Sequence, residues 1–169
     1  PTIALLATLA WLAGVVWFIR YFRTPAIEVP GQVTLLLAVT GRTEGLPPLF
    51  AALARQTLRP RRLLVAVEAE TDPALAQVRE LEHLLPFPVE IVIAGLDDTR
   101  SQKATNMMAA CALVDAQDDA VVLLDADILP QDHWLSWLAT PAMNGAADVV
   151  TGYRWHALDG AGPGRHVVA

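Results

Sequence analysis

The sequence predicts an α/β domain with a mostly parallel sheet, helices on both of its faces, and one transmembrane helix in front. Three observations predict it. Four short, mostly branched apolar runs alternate with stretches of helical periodicity, the pattern of strands joined by crossover helices. Those runs are nearly continuous in apolar residues, as parallel strands buried on both sides are. Thr2 to Ile19 carry no charge at all.

In chain order, the uncharged run comes first. As a helix it would reach about 27 Å, close to the hydrocarbon thickness of a bilayer. Trp17, Tyr21 and Phe22 stand near its end with Arg20 and Arg23, the aromatic and positive edge of a cytoplasmic face. The domain is therefore expected on the cytosolic side of a membrane that the chain crosses once. A cleaved signal peptide is the rival reading, but arginines stand where small cleavage-site residues belong. The division that follows is 1–23 anchor and flank, 24–32 linker, 33–155 domain, and 156–169 a Gly/Pro-rich end.

Within the domain, Val33–Val39, Leu63–Val67, Val89–Ile93 and Val121–Leu124 are the expected strands, with Asp148–Thr151 a weaker fifth. Right-handed crossovers join them. Between the first two, Leu46–Leu58 places Leu46, Leu49, Phe50 and Leu53 on one helical face, with Pro47 and Pro48 in its first turn. Asp72-Pro73 caps the next helix, whose stripe is Leu75, Val78, Leu81 and Leu85, ending before Pro86. A third helix is expected from Gln102 to Ala116, with Met107, Met108 and Cys111 in the core.

Composition narrows the function. Of 169 residues 54% are hydrophobic, and the net charge is -6, so no basic face exists for nucleic-acid phosphates. Cys111 is the only cysteine, which excludes a disulfide framework and any multi-cysteine metal site.

In open parallel sheets ligands sit beyond the carboxyl ends of strands. At one such end stands Asp125-Ala126-Asp127, followed by Pro130. Residues two apart on a strand point the same way, so both carboxylates can converge on one hard cation, Mg2+ or Mn2+, whose remaining ligands are diphosphate oxygens. The competing reading is a loop whose aspartates cap the following helix. Lys103 is the only lysine among twelve basic residues, which suggests geometry rather than generic charge. Lys103 and Asn106 share a helical face near an N-terminus that favours phosphate, unless that turn is merely solvated.

This order of strand, acidic loop, Lys-x-x-Asn helix and strand ending in Asp-Ala-Asp resembles glycosyltransferase family 2, most closely its ceramide glucosyltransferase-like branch, over roughly Val33 to Gly152. The resemblance implies a GT-A fold, a nucleoside-diphosphate sugar donor (commonly a UDP-sugar), a divalent metal, and an acceptor that is often a lipid. It implies Asp125 and Asp127 as metal ligands, with Asp125 also at the donor. Lys103 and Asn106 match the family's donor segment, and Thr40-Gly41-Arg42 its loop under the nucleotide, which makes Thr40 and Arg42 donor-binding candidates, although a lone surface arginine is the favoured reading of Arg42. Glu68 falls where the family usually has a nucleoside-holding Asp; a solvated turn is the alternative there, and a helix cap is the favoured reading of Asp72. His133 is expected to be exposed, Trp134 and Trp137 to pack or to touch a membrane edge, and Gly152-Tyr153-Arg154-Trp155 to begin the donor-sugar and acceptor region.

The family's later acidic residue, its general base, and its Gln/Arg-x-x-Arg-Trp motif have no match here. The chain is therefore expected to be the front part of a longer enzyme, with the base beyond residue 169. Two other readings stand beside the transferase. One is a membrane-tethered module that holds a nucleotide sugar without transferring it. The other is a haloacid-dehalogenase-like phosphatase, which also presents Asp-x-Asp after a strand, although such enzymes normally have Thr or Val where Leu129 stands.

Overall fold

The structure, a computed structural model, describes residues 2–23 and 29–152; in the first helix, side chains are described from Ala4 to Phe18 and at Arg20. That helix, α1, covers Thr2–Arg23. Among the described residues no helix is long and apolar enough to cross a membrane, so the span expected at Thr2–Ile19 is not found there. Most of the linker, 24–28, and the end of the chain from Tyr153 lie outside the described residues.

Four parallel strands, β1 (Val33–Ala38), β2 (Arg62–Val67), β3 (Val89–Ile93) and β4 (Ala120–Leu124), form one sheet in the order β3-β2-β1-β4. The expected strands are borne out to within a residue at each end. The fifth is not: Asp148–Thr151 forms no strand, and Val149 is 80% exposed. Three β-branched residues, Val149, Val150 and Thr151, supply propensity, but no neighbour pairs with them.

Alternation along β1 divides the core. Leu35 and Leu37 face the larger cluster, with Leu46, Leu49 and Phe50 of α2 (Leu46–Leu53), Val78 of α3 (Pro73–Leu81) and Leu135 of α5 (Trp134–Met143). Leu36 faces the other way, with Leu64, Ala66 and Ala110 of α4 (Gln102–Cys111). Full burial of each large side chain stabilises the fold by about 1.5–3 kcal/mol. Helices thus lie on both faces, but the cover is incomplete at β4. Leu123, in register with Leu36, is 60% exposed on the α4 face.

The helices are shorter than their periodicities suggest, for local reasons. The stripe of α3 ends at Leu81, a 3-10 turn follows over Glu82–Leu84, and Leu85 is already extended (φ -91, ψ 132). Pro86 forces that conformation on the residue before it. After α2, Gln56 turns inward, and its amide bonds the Ala52 and Gln131 carbonyls and the Leu135 N–H. In α4 the buried residues are Asn106 and Ala110. Met107 packs half-buried, but Met108 (57% exposed) and Cys111 are outside the core, contrary to expectation. Spacing defined the face; the hydrogen bonds of Asn106 chose its orientation.

A polar cluster closes the amino end of the sheet. The buried Asp118 accepts from Thr34 Oγ1 (2.5 Å), Arg61 Nη1 (2.7 Å), Arg62 Nη2 (3.3 Å) and the Asp115 N–H (3.0 Å). Burial pushes its pKa up, but these donors outweigh burial and hold it at about 2.

Candidate active site

The opposite, carboxyl end of the sheet carries an open cleft of about 360 Å³. Its floor is Ala38 and Val39, where β1 ends, and Asp125, Ala126 and Asp127, which follow β4. Lys103 and Asn106 from the start of α4 form one wall, and Thr40 and Thr43 the other. The elements that sequence reading singled out therefore meet at one place. Asp125 and Asp127 share the cleft through a turn after the strand rather than by strand alternation, since β4 ends at Leu124. The helix-cap reading fails: α5 begins at Trp134 with His133 at its N-cap and no side-chain cap bond.

Lys103 reaches across the cleft to ion-pair with Asp125, its Nζ donating to Oδ1. Ser101 caps α4 by accepting from the Ala104 N–H (3.3 Å), and the first turn of this helix reaches the cleft through Lys103. An ammonium, a helix N-terminus and two carboxylates at one strand end suit a ligand carrying phosphate and a cation together.

Asn106 is not at a solvated turn; it is fully buried. Its Nδ2 donates to the carbonyls of Val39 (3.2 Å) and Ala66 (3.4 Å), at the ends of β1 and β2, and its Oδ1 accepts from Gln102 Nε2 (2.7 Å). Gln102 in turn bonds the Gly95 carbonyl (2.7 Å). Asn106 therefore locks α4 to the sheet and sets where Lys103 stands. Gln102 is a contributor the sequence reading passed over.

The remaining candidates are spread more widely. Thr40 lines the cleft, but Arg42 pairs with Glu80 on the surface (3.2 Å) and is not among the lining residues. Glu68 sits half-buried at the exit of β2, also outside the lining. Asp72 caps α3 as expected, accepting from the Ala74 N–H (2.8 Å). His133 stacks on Trp137 (6.0 Å between ring centres) and meets Thr57 Oγ1 at 3.2 Å. Trp134 is half-buried against the core. Tyr153, Arg154 and Trp155 lie outside the described residues. Thr43 was not foreseen; no composition or spacing signal marks a threonine as a wall.

Among the described residues, no group of three or more His, Cys, Asp or Glu side chains could hold a metal ion. A cation in the cleft would rest on Asp125 and Asp127 and take its other ligands from a bound molecule. That all-oxygen donor set suits Mg2+ or Mn2+, which keep few protein ligands.

The model of glycosyl transferase family 21 matches residues 2–161. This refines the family 2 resemblance to a neighbouring family of the same kind, and leaves the phosphatase reading without support. Among curated proteins no match was found.

Proposed function

From the premise that the chain belongs to glycosyl transferase family 21, we propose that its cleft binds a UDP-sugar with Mg2+ or Mn2+ for transfer to an acceptor, a lipid. A nucleotide-sugar glycosyltransferase is what the family supports; the donor base, metal and acceptor are our reading. The observation that carries it is the Lys103–Asp125 pair above Asp127 at the carboxyl end of parallel strands.

In this reading Asp125 and Asp127 hold the cation, which when bound neutralises charge developing on the leaving diphosphate. Lys103 turns its ammonium to the phosphates at the start of α4. Thr40 and Thr43 bound the nucleotide's other side. In the transfer the acceptor oxygen bonds to the sugar's anomeric carbon as the bond to the diphosphate oxygen breaks, and the acceptor proton passes to a base. We assign Asp125 and Asp127, the two carboxylates that line the cleft among the described residues, to donor binding.

Asp127→Asn tests the site, because it removes a charged ligand while keeping shape. Titration calorimetry of UDP with and without Mn2+ should show Mn2+ strengthening binding to the wild type about tenfold or more, and little for the variant. Equal dependence on Mn2+ in both proteins would remove the acidic pair from the metal site.

Membrane association belongs to the same proposal. Leu6, Trp11 and Trp17 on α1 are each more than 60% exposed, and apolar residues point outward all around it. A helix apolar on every side is covered in its working state by lipid or protein. Lipid fits an enzyme with a lipid acceptor, and Arg20 orients the domain to the cytosol.

A further inference from the structure

The wall of the cleft opposite Lys103 is held from behind by two side chains that do not line it. Thr43 is bracketed by Gln77 of α3: the Thr43 N–H donates to Gln77 Oε1 (2.9 Å), and Gln77 Nε2 donates to the Thr43 carbonyl (2.7 Å). Two residues earlier, the Gly41 N–H donates to Asp72 Oδ1 (2.9 Å), the same oxygen that caps α3. Gly41 has φ +67, a conformation that glycine adopts without strain. Both side chains are more than nine-tenths buried. Asp72 Oδ2 is buried with no hydrogen-bond partner, a cost that a simple helix cap does not require.

The loop ends on the acidic pair. Gly45, the N-cap of α2, lies so close to the acidic turn that a Cβ there would overlap the Ala126 carbonyl oxygen and stand 3.2 Å from the Asp127 Cα. Its φ of -72 and ψ of -21 are open to any residue. Only the close approach calls for glycine.

We propose that Gln77 and Asp72 are positioning residues for the donor site, fixing loop 40–45 to α3 so that Gly45 seats the Asp125-Ala126-Asp127 turn. This rests on the donor-site reading of the cleft. A misplaced acidic turn loses cation affinity although every ligand remains, as when outer hydrogen bonds to metal ligands are removed.

Gln77→Met keeps volume and helix propensity but removes both bonds to Thr43. Gly45→Ala keeps an accessible φ and ψ, gives α2 a somewhat poorer N-cap, and forces the acidic turn to shift. Hydrogen exchange on the full chain is the first readout. Gln77→Met should speed exchange in both 40–46 and 124–129, with β2 and β3 unchanged. Acceleration confined to 40–46 overturns the transmission to the acidic turn. Calorimetry with UDP and Mn2+ is the second, with both variants expected to bind about tenfold more weakly than wild type. A lowered melting temperature with wild-type affinity would reduce the latch to a stability element and overturn the proposal. If the wild type itself shows no Mn2+-dependent UDP binding, the donor-site reading fails, and the exchange pattern alone decides whether the latch positions the turn.

Discussion

Asp118→Asn should produce a loss of stability that shrinks as the solution is acidified. The Asp118 side chain has no solvent exposure and receives four hydrogen bonds, two from the guanidinium groups of Arg61 and Arg62. Asparagine keeps one acceptor oxygen but turns an NH2 toward donors, and removes the charge that both arginines face. Breaking a buried pair in this way costs about 3–5 kcal/mol at neutral pH. Part of that is pH-linked. The folded pKa of about 2 lies below the ordinary 3.8, so the charged form stabilises the fold by about 2 kcal/mol. That contribution is fully present well above pH 3.8 and drains away as pH falls through 2. Urea unfolding followed by circular dichroism, from pH 7 to pH 2, measures it. The gap between wild type and variant should narrow by about 2 kcal/mol at the acid end. Curves that stay parallel over the whole range would refute the assignment, since Asp118 would then titrate alike in the folded and unfolded chain.

Two further outcomes follow from the site and the membrane reading. Lys103→Ala should weaken UDP binding by about ten- to a hundredfold, the worth of one charge-assisted hydrogen bond, while leaving uridine binding almost unchanged; equal loss for both ligands would move Lys103 off the phosphates. Protease added outside intact cells should spare the domain, because Arg20 follows the apolar run, and cleavage there would reverse the orientation.

The strands were legible because each is short, apolar and bounded by polar turns, and β3 was read to the residue. The site was legible as a set of places: Asp125, Asp127, Lys103 and Asn106 do share one cleft. Their roles were less so. Asn106 looks from sequence like a ligand or a solvated amide, and only the fold shows that its hydrogen bonds go to Val39 and Ala66. Arg42 carries the right charge next to the right loop, but Glu80 on α3 draws it to the surface, and no local pattern encodes a partner 38 residues away. Gln77 is silent in sequence for the same reason, since its target is the backbone of a distant loop.

The strand order bears on how the chain is made. β1 lies between β2 and β4, yet β2 is complete at Val67 and β4 only at Leu124. Those positions are 124 − 67 = 57 residues apart. At ribosomal speeds this separation takes roughly 3–11 s. Throughout that interval Leu35, Leu36 and Leu37 sit on a strand with one edge paired and the other open, a template for any extended apolar segment nearby. The nascent chain is most exposed to mispairing there, and a chaperone that shields β1 would act before β4 and the acidic turn behind it have emerged to close that edge.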